Sequence, residues 1–186
     1  MLGLAWWSCA RGANEACLSQ NGAHSISTFR GCYILRARAA AGDVEGCVEN
    51  IRDYWGGMLS LGATTFWEDF DIDWLGNAAR IDELTPAGKV NVHGAYGKYC
   101  YIGYRHSLCH GWSSGPTPWM QETILGVEVL DPGCRKIRVT PRLGSLEWAE
   151  GSFPTPYCPV FVRHEKKADG SVESDIKAPD EVEVVR

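Results

Sequence analysis

The chain has 186 residues, 45% of them hydrophobic and 22% charged, and a formal net charge of -5 at pH 7. This is globular usage, too apolar for a disordered chain and long enough for one domain or one and a half. An acidic balance with no Lys/Arg cluster excludes electrostatic binding to nucleic acid or to an anionic membrane, which leaves small or neutral ligands.

The opening stretch "MLGLAWWSCARG" has no basic leader, and its apolar run is too short for a signal sequence or a membrane span. It reads as an ordinary core helix, and a cytoplasmic location follows by default. The eight cysteines are scattered with no CxxC, so buried free thiols are expected rather than a disulfide framework. From Thr28 to Ala41, the apolar residues Phe29, Cys32, Tyr33 and Ala37 recur at helical spacing. Gly42-Asp43 then supplies a stop followed by an N-cap. The next helix carries Val44, Cys47, Val48, Ile51, Tyr54, Trp55, Met58 and Leu59 as one apolar stripe. Gly62 ends it, so "ATTFWEDFD" begins in a loop at the end of a helical hairpin, where enzymes commonly carry chemistry.

From Gly133 the period changes to two. Ile137 and Val139, Leu146 and Trp148, and Val160 and Val162 alternate with polar residues, Asp169-Gly170 signals a hairpin, and "EVEVV" closes the chain. A small antiparallel β-sandwich is expected over residues 131–186, after a helical part over 1–130. The fold class is therefore mixed, α then β.

Several constellations compete for chemistry. Asp69, Asp71 and Asp73 have the alternating spacing of a calcium loop, but Trp74 stands where the turn glycine belongs and Arg80 where the bidentate acid belongs. "HSLCH" spaces His106 and His110 one helical turn apart with Cys100 and Cys109 near, a pattern able to bind zinc. It lacks the intervening glutamate and a second paired motif, so a satisfied histidine is the plainer reading of His106. For Glu68 the plain reading is a solvated acid on a loop. Eight tryptophans are more than a core of this size needs, which makes some of them candidates for lining a binding site.

Three stretches shift this balance: "YWGGMLSLGATTFWEDFD", "YRHSLCHGWSSGPTPWMQETILGV" and "PGCRKIRVTPRLGSLEWAEGSFPTPY". In this order they resemble the C-terminal end of bacterial α-L-rhamnosidases, over roughly residues 24 to 165 by motif matching. The resemblance implies a partial α/α six-hairpin barrel followed by a β-sandwich, and L-rhamnose-containing glycosides as substrates. It implies no cofactor and no metal. Glu68 matches the family's general base, which deprotonates water in inverting hydrolysis, and His110 matches a histidine that hydrogen-bonds sugar hydroxyls. Trp67 and Trp112 are suited to stack on a deoxy sugar. The general acid comes from an earlier part of the barrel, which needs about a dozen helices where this length has room for four or five. A C-terminal fragment is therefore expected, with the missing barrel part or self-association as its partner. The alternative is a non-catalytic remnant or sugar-binding module. Cys158 stands where the family usually has glycine, which strains a turn if that position needs positive φ.

Overall fold

The computed structural model describes residues 2–95 and 103–186. These form two compact units, Met1–Pro116 and Thr117–Arg186. The first is helical with long loops, and the second carries all six strands. Among the described residues no helix is long and apolar enough to cross a membrane.

In the helical unit, α1 (Leu2–Ala13) is followed by α2 (Thr28–Ala40). The residues expected to make α1 a core helix, Leu2 to Trp7, lie outside the described side chains; Ser8, Cys9 and Arg11 are exposed. Ser27 caps α2 by accepting from the Arg30 N–H. The helix forms where the periodicity puts it, but it buries the other face. Thr28, Gly31, Leu35, Arg38 and Ala39 point inward, whereas Phe29 and Tyr33 of the expected stripe are exposed. The reason lies at Gly31, where an added Cβ would sit 2.5 Å from the Trp55 ring. Only glycine lets that indole lie against α2, and this contact fixes the helix rotation.

The next helix begins at α3 (Val44–Asn50), passes through a π-helical stretch Ile51–Trp55 and ends as α4 (Gly56–Ser60). Cys47, Tyr54, Trp55 and Met58 are buried as the stripe requires, but Leu59 is 66% exposed. The wider π turn accounts for this: it rotates the following residues relative to a 3.6-residue repeat, so Gly57 and Met58 take the inward positions. Burial pushes the Cys47 thiol up to about 12, so it serves as packing. It is the one fully buried thiol among the described cysteines, all of which are free. Cys9, Cys17, Cys109 and Cys158 are exposed and Cys32 and Cys134 half-buried, against the expectation of buried thiols.

A charged contact locks the α2–α3 turn. The buried Arg38 donates to Asp43 Oδ2 through Nε at 2.9 Å and Nη2 at 2.7 Å. Asn14 Nδ2 donates to the same oxygen at 2.9 Å, and the Gly46 N–H donates to Oδ1 at 3.0 Å. Burial alone would raise the Asp43 pKa, but the Asn14 and Arg38 hydrogen bonds and the guanidinium charge outweigh it, leaving the pKa lowered. A depressed folded-state pKa stabilises the fold above the unfolded value near 4, and this stabilisation is lost as pH falls through the folded pKa. Asp43→Asn is expected to cost about 3 kcal/mol, because it leaves a buried guanidinium unpaired. It should also flatten the loss of stability below about pH 4. Urea midpoints of both proteins at neutral and acid pH measure this; equal midpoints at neutral pH would refute it.

In the second unit, α6 (Pro116–Trp119) passes into a π turn, Met120–Ile124, and α5 (Val92–Ala95) belongs to the first unit. Two three-stranded sheets follow, ordered β1-β2-β6 and β3-β4-β5. The first contains β1 (Val127–Val129), β2 (Lys136–Val139) and β6 (Glu183–Val185). The second contains β3 (Trp148–Phe153), β4 (Val160–Lys166) and β5 (Val172–Lys177). Leu125, Val127, Ile137, Val139, Val160, Val162 and Val182 form one shared core, which makes the sheets two faces of a sandwich. The Asp169-Gly170 turn joins β4 to β5, with Gly170 at φ +84° and its N–H donating to the Lys167 carbonyl. Two strand expectations are corrected. The final strand β6 pairs parallel to β2, not antiparallel. Leu146 lies before β3, and Trp148 faces outward, its ring covered by the Arg163 guanidinium. The wholly buried His164 donates from Nε2 to the Leu125 carbonyl at 3.0 Å and accepts the Ser174 hydroxyl at Nδ1 at 2.7 Å.

Candidate functional site

Gly62, at φ +87°, terminates α4, and the chain runs on as an irregular loop to Asp71. Its backbone polar groups need partners if the loop is to be held. They find them in the segment 106–113. The Glu68 N–H donates to the Ser107 carbonyl at 2.9 Å, and the His110 N–H donates to the Phe66 carbonyl at 2.7 Å. The Thr65 hydroxyl donates to the Leu108 carbonyl. The Tyr54 hydroxyl donates to the Phe70 carbonyl from below, and burial, with the charges of Asp69 and Asp71, raises its pKa so that it stays a donor. Two irregular segments thus behave as a cross-tied pair.

Glu68 sits at the centre of these ties. Its carbonyl accepts the Trp112 indole N–H at 2.7 Å and the Thr28 hydroxyl at 2.6 Å. Its carboxylate Oε2 accepts the Ser107 N–H at 3.0 Å. The half-buried side chain is therefore oriented through one oxygen by a rigid main-chain donor, unlike a freely solvated acid. Trp112 is 41% exposed, and its ring lies 4.1 Å from that of His110 at 34° between planes. Glu68, His110 and Trp112 are brought together.

Trp67 is placed differently. It is 0% exposed, packed edge-on against Phe70 and His106, so it presents no face to a ligand. Its indole Nε1, like His110 Nδ1, is buried without a hydrogen-bond partner among the described residues. Trp67 is wholly buried while its neighbour Glu68 is half-exposed, so the tryptophan anchors the loop.

The zinc-like pattern does not assemble. The segment holding His106, Cys109 and His110 is not helical, so the four-residue spacing does not put the histidines on one face. His106 is buried, its Nδ1 donating to the Val92 carbonyl at 3.2 Å and its Nε2 accepting the Asp69 N–H at 3.1 Å. Both nitrogens are used in holding the loop. Cys109 is exposed, and Cys100 lies outside the described residues. Among the described residues no group of three or more His, Cys, Asp or Glu side chains is arranged to hold a metal. Asp71 instead caps a short turn by accepting the Asp73 N–H at 3.1 Å.

Thr28 and Ser107 hold Glu68 in place, and no sequence motif points to either. Thr28 opens α2 and reaches 40 positions along the chain to Glu68, which no local pattern announces. Ser107 lies inside "RHSLCH", where the histidines drew attention instead. The departure at Cys158 is realised: its φ is +153°, a conformation that favours glycine. The Thr155 hydroxyl bridges that turn, donating to the Cys158 carbonyl at 2.6 Å.

Residues 126–185 match the family model described as the bacterial alpha-L-rhamnosidase C-terminal domain. A curated alpha-L-rhamnosidase from Alteromonas sp. (strain LOR) is 32% identical over 119 residues, which is 62% of this chain and 10% of that protein. Among solved structures, a GH78 family rhamnosidase of Bacillus sp. GL1 superposes with a TM-score of 0.67 at 26% identity, covering 93% of this chain and 16% of the other. The alpha-L-rhamnosidase from Dictyoglumus thermophilum gives 0.58 at 22% identity, covering 84% of this chain and 15% of its own. That from Streptomyces avermitilis, complexed with L-rhamnose, gives 0.58 at 19% identity, covering 83% and 13%. For these last two the likeness is one of fold. The chain thus spans a small part of each relative.

Proposed function

From its similarity to the C-terminal part of bacterial α-L-rhamnosidases, we propose that this chain supplies the general-base side of an inverting rhamnoside-hydrolysing site. Its helical unit is then a portion of an α/α six-hairpin barrel. Glu68 takes the proton of the attacking water, and a partner acid protonates the leaving oxygen from the opposite side of the sugar. The observation that carries this reading is the anchoring of Glu68: carboxylate to the Ser107 N–H, carbonyl to Trp112 and Thr28. A base must be held within hydrogen-bond reach of its water, and a carboxylate tied at one oxygen to a rigid backbone meets that need. Trp112 offers the half-exposed apolar wall. His110, stacked on it with Nδ1 buried, meets a sugar hydroxyl through Nε2. Trp67, packed against Phe70 and His106, anchors the loop in place of stacking on sugar. The same groups would serve a sugar-binding module without catalysis, and the two readings share the ligand but differ in turnover.

The test is binding of methyl α-L-rhamnoside to the 186-residue protein by calorimetry or by ligand-observed NMR. Millimolar affinity is expected, with His110→Ala weakening it by about 1 to 3 kcal/mol for one hydrogen bond. Treatment with a chelator should leave both affinity and thermal midpoint unchanged. The absence of rhamnoside binding would overturn the proposal, and unfolding on chelation would favour a metal-bound His106, Cys109 and His110 instead.

A further inference from the structure

The outer face of the β3-β4-β5 sheet carries side chains that the packing of the sandwich does not use. Alternation along β4 buries Val160, Val162 and His164 and sends Phe161, Arg163 and Glu165 outward. The strand register sets Phe161 between Ser152 and Lys177, and Arg163 between Glu150 and Asp175. These six residues line a groove of about 510 Å³. Phe161 is 56% exposed, so its ring belongs to the groove and not to the core. Trp148, also exposed, stands on the same face opposite Glu165, which puts its Cα about 14 Å from that of Phe161 by strand geometry. Between the two rings the Arg163 guanidinium lies 5.7 Å from the Trp148 ring centroid and donates from Nη1 to Glu150 Oε2 at 2.7 Å. The middle of the face is thus ordered before any ligand arrives.

We infer that this face is a binding surface for a neutral glycan chain, separate from the Glu68 site and independent of the rhamnoside reading. Aromatic rings left in solvent offer flat apolar area, which the C–H faces of a sugar ring can cover. The charged groups around Phe161 are two acids, Glu150 and Asp175, and two bases, Arg163 and Lys177. Their charges cancel, so the groove attracts neither an anionic nor a cationic polymer. They still supply both halves of a hydrogen-bond set: the carboxylates accept, the guanidinium and ammonium donate, and the Ser152 hydroxyl does both. Sugar hydroxyls, each a donor and an acceptor, match that mixture. The distance from Phe161 to Trp148 exceeds one sugar ring, which favours a chain over a monosaccharide. A protein partner fits less well, because the cores of protein interfaces are depleted in Lys, Glu and Asp, the residue types that surround Phe161 here.

The experiment is affinity electrophoresis of the 186-residue protein through gels containing xyloglucan, galactomannan or polygalacturonate, none of which supplies a rhamnoside to the Glu68 site. The expected result is retardation by xyloglucan or galactomannan that added salt does not remove. Phe161→Ala and Trp148→Ala should each weaken it by about three- to ten-fold, while Phe161→Tyr, which keeps the ring, preserves it. Circular dichroism verifies that the variants fold, and their affinity for methyl α-L-rhamnoside should equal that of the wild type. Absence of retardation by both neutral polysaccharides would overturn the inference and leave the rhamnoside reading intact. So would retardation by polygalacturonate alone that salt abolishes, retardation that both alanine variants retain in full, or a wild-type dimer in light scattering that Phe161→Ala dissolves. Loss of methyl rhamnoside binding with retardation intact would overturn the rhamnoside reading alone.

Discussion

Glu68→Gln is expected to lower kcat by about 10²- to 10⁴-fold when residues 1–186 are joined to the remainder of a rhamnosidase barrel, with folding unchanged. Glutamine is close to isosteric, and its side-chain oxygen can still accept the Ser107 N–H that positions Glu68 Oε2. The carbonyl contacts of residue 68 to Trp112 and Thr28 are main-chain on that side and survive any substitution that keeps the loop. What is lost is the capacity to take a proton from water, because an amide is not a base at neutral pH. A fall in kcat with little change in KM therefore marks a group acting in the transition state. Steady-state hydrolysis of an aryl rhamnoside measures it. Near-normal turnover would remove Glu68 from the mechanism, and a collapse of the thermal midpoint would mean that its role is structural.

This contrast between side-chain chemistry and main-chain anchoring explains how far the sequence could be read. The helices from Thr28 to Ser60 and the strands around Ile137 and Val162 are legible because their periodicity reflects a local backbone geometry. Which side of a helix faces inward is a different matter. In α2 the stripe with the larger rings, Phe29 and Tyr33, lost to the one with Gly31, since a single close contact with Trp55 set the rotation. Leu59 failed for a related reason, a π turn that no propensity announces. The parallel pairing of β6 with β2 depends on long-range topology, which alternation cannot specify. At the candidate site, Glu68, His110 and Trp112 lie in recognisable motifs, while the groups that hold Glu68, Thr28 and Ser107, are distant in sequence and chemically ordinary. Trp67 shows the limit most directly: of two adjacent residues of one motif, one is wholly buried in the core and the other is half-exposed.

Residues 1–186 alone are expected to show no detectable turnover of a natural rhamnoside. General acid catalysis contributes typically 10²- to 10⁴-fold, because without it the glycosidic oxygen must depart as an unprotonated anion. The carboxylates nearest Glu68 in sequence are poorly suited to supply that proton. Asp69 Oδ1 accepts the Phe70 N–H at 3.0 Å, Asp71 Oδ1 accepts the Asp73 N–H at 3.1 Å, and Asp73 faces His24 at 3.5 Å in an exposed position. The first two are engaged in local turn contacts and the third in a surface pair, and a general acid must instead reach the far side of the sugar from the base. A barrel of about a dozen helices would bring it from another hairpin. Such a barrel would also cover exposed apolar residues such as Leu59 and Leu84, which in the isolated chain favour self-association. Activated aryl leaving groups need less protonation, so a slow residual rate with 4-methylumbelliferyl α-L-rhamnoside, absent in Glu68→Gln, is compatible with a base working without its acid. Light scattering on the purified chain, together with an assay on a natural rhamnoside, decides the matter. A clean monomer that turns over such a substrate at the rate of a complete rhamnosidase would require Asp71 or Asp73 to act as the acid, and would end the view of this chain as one half of a catalytic pair.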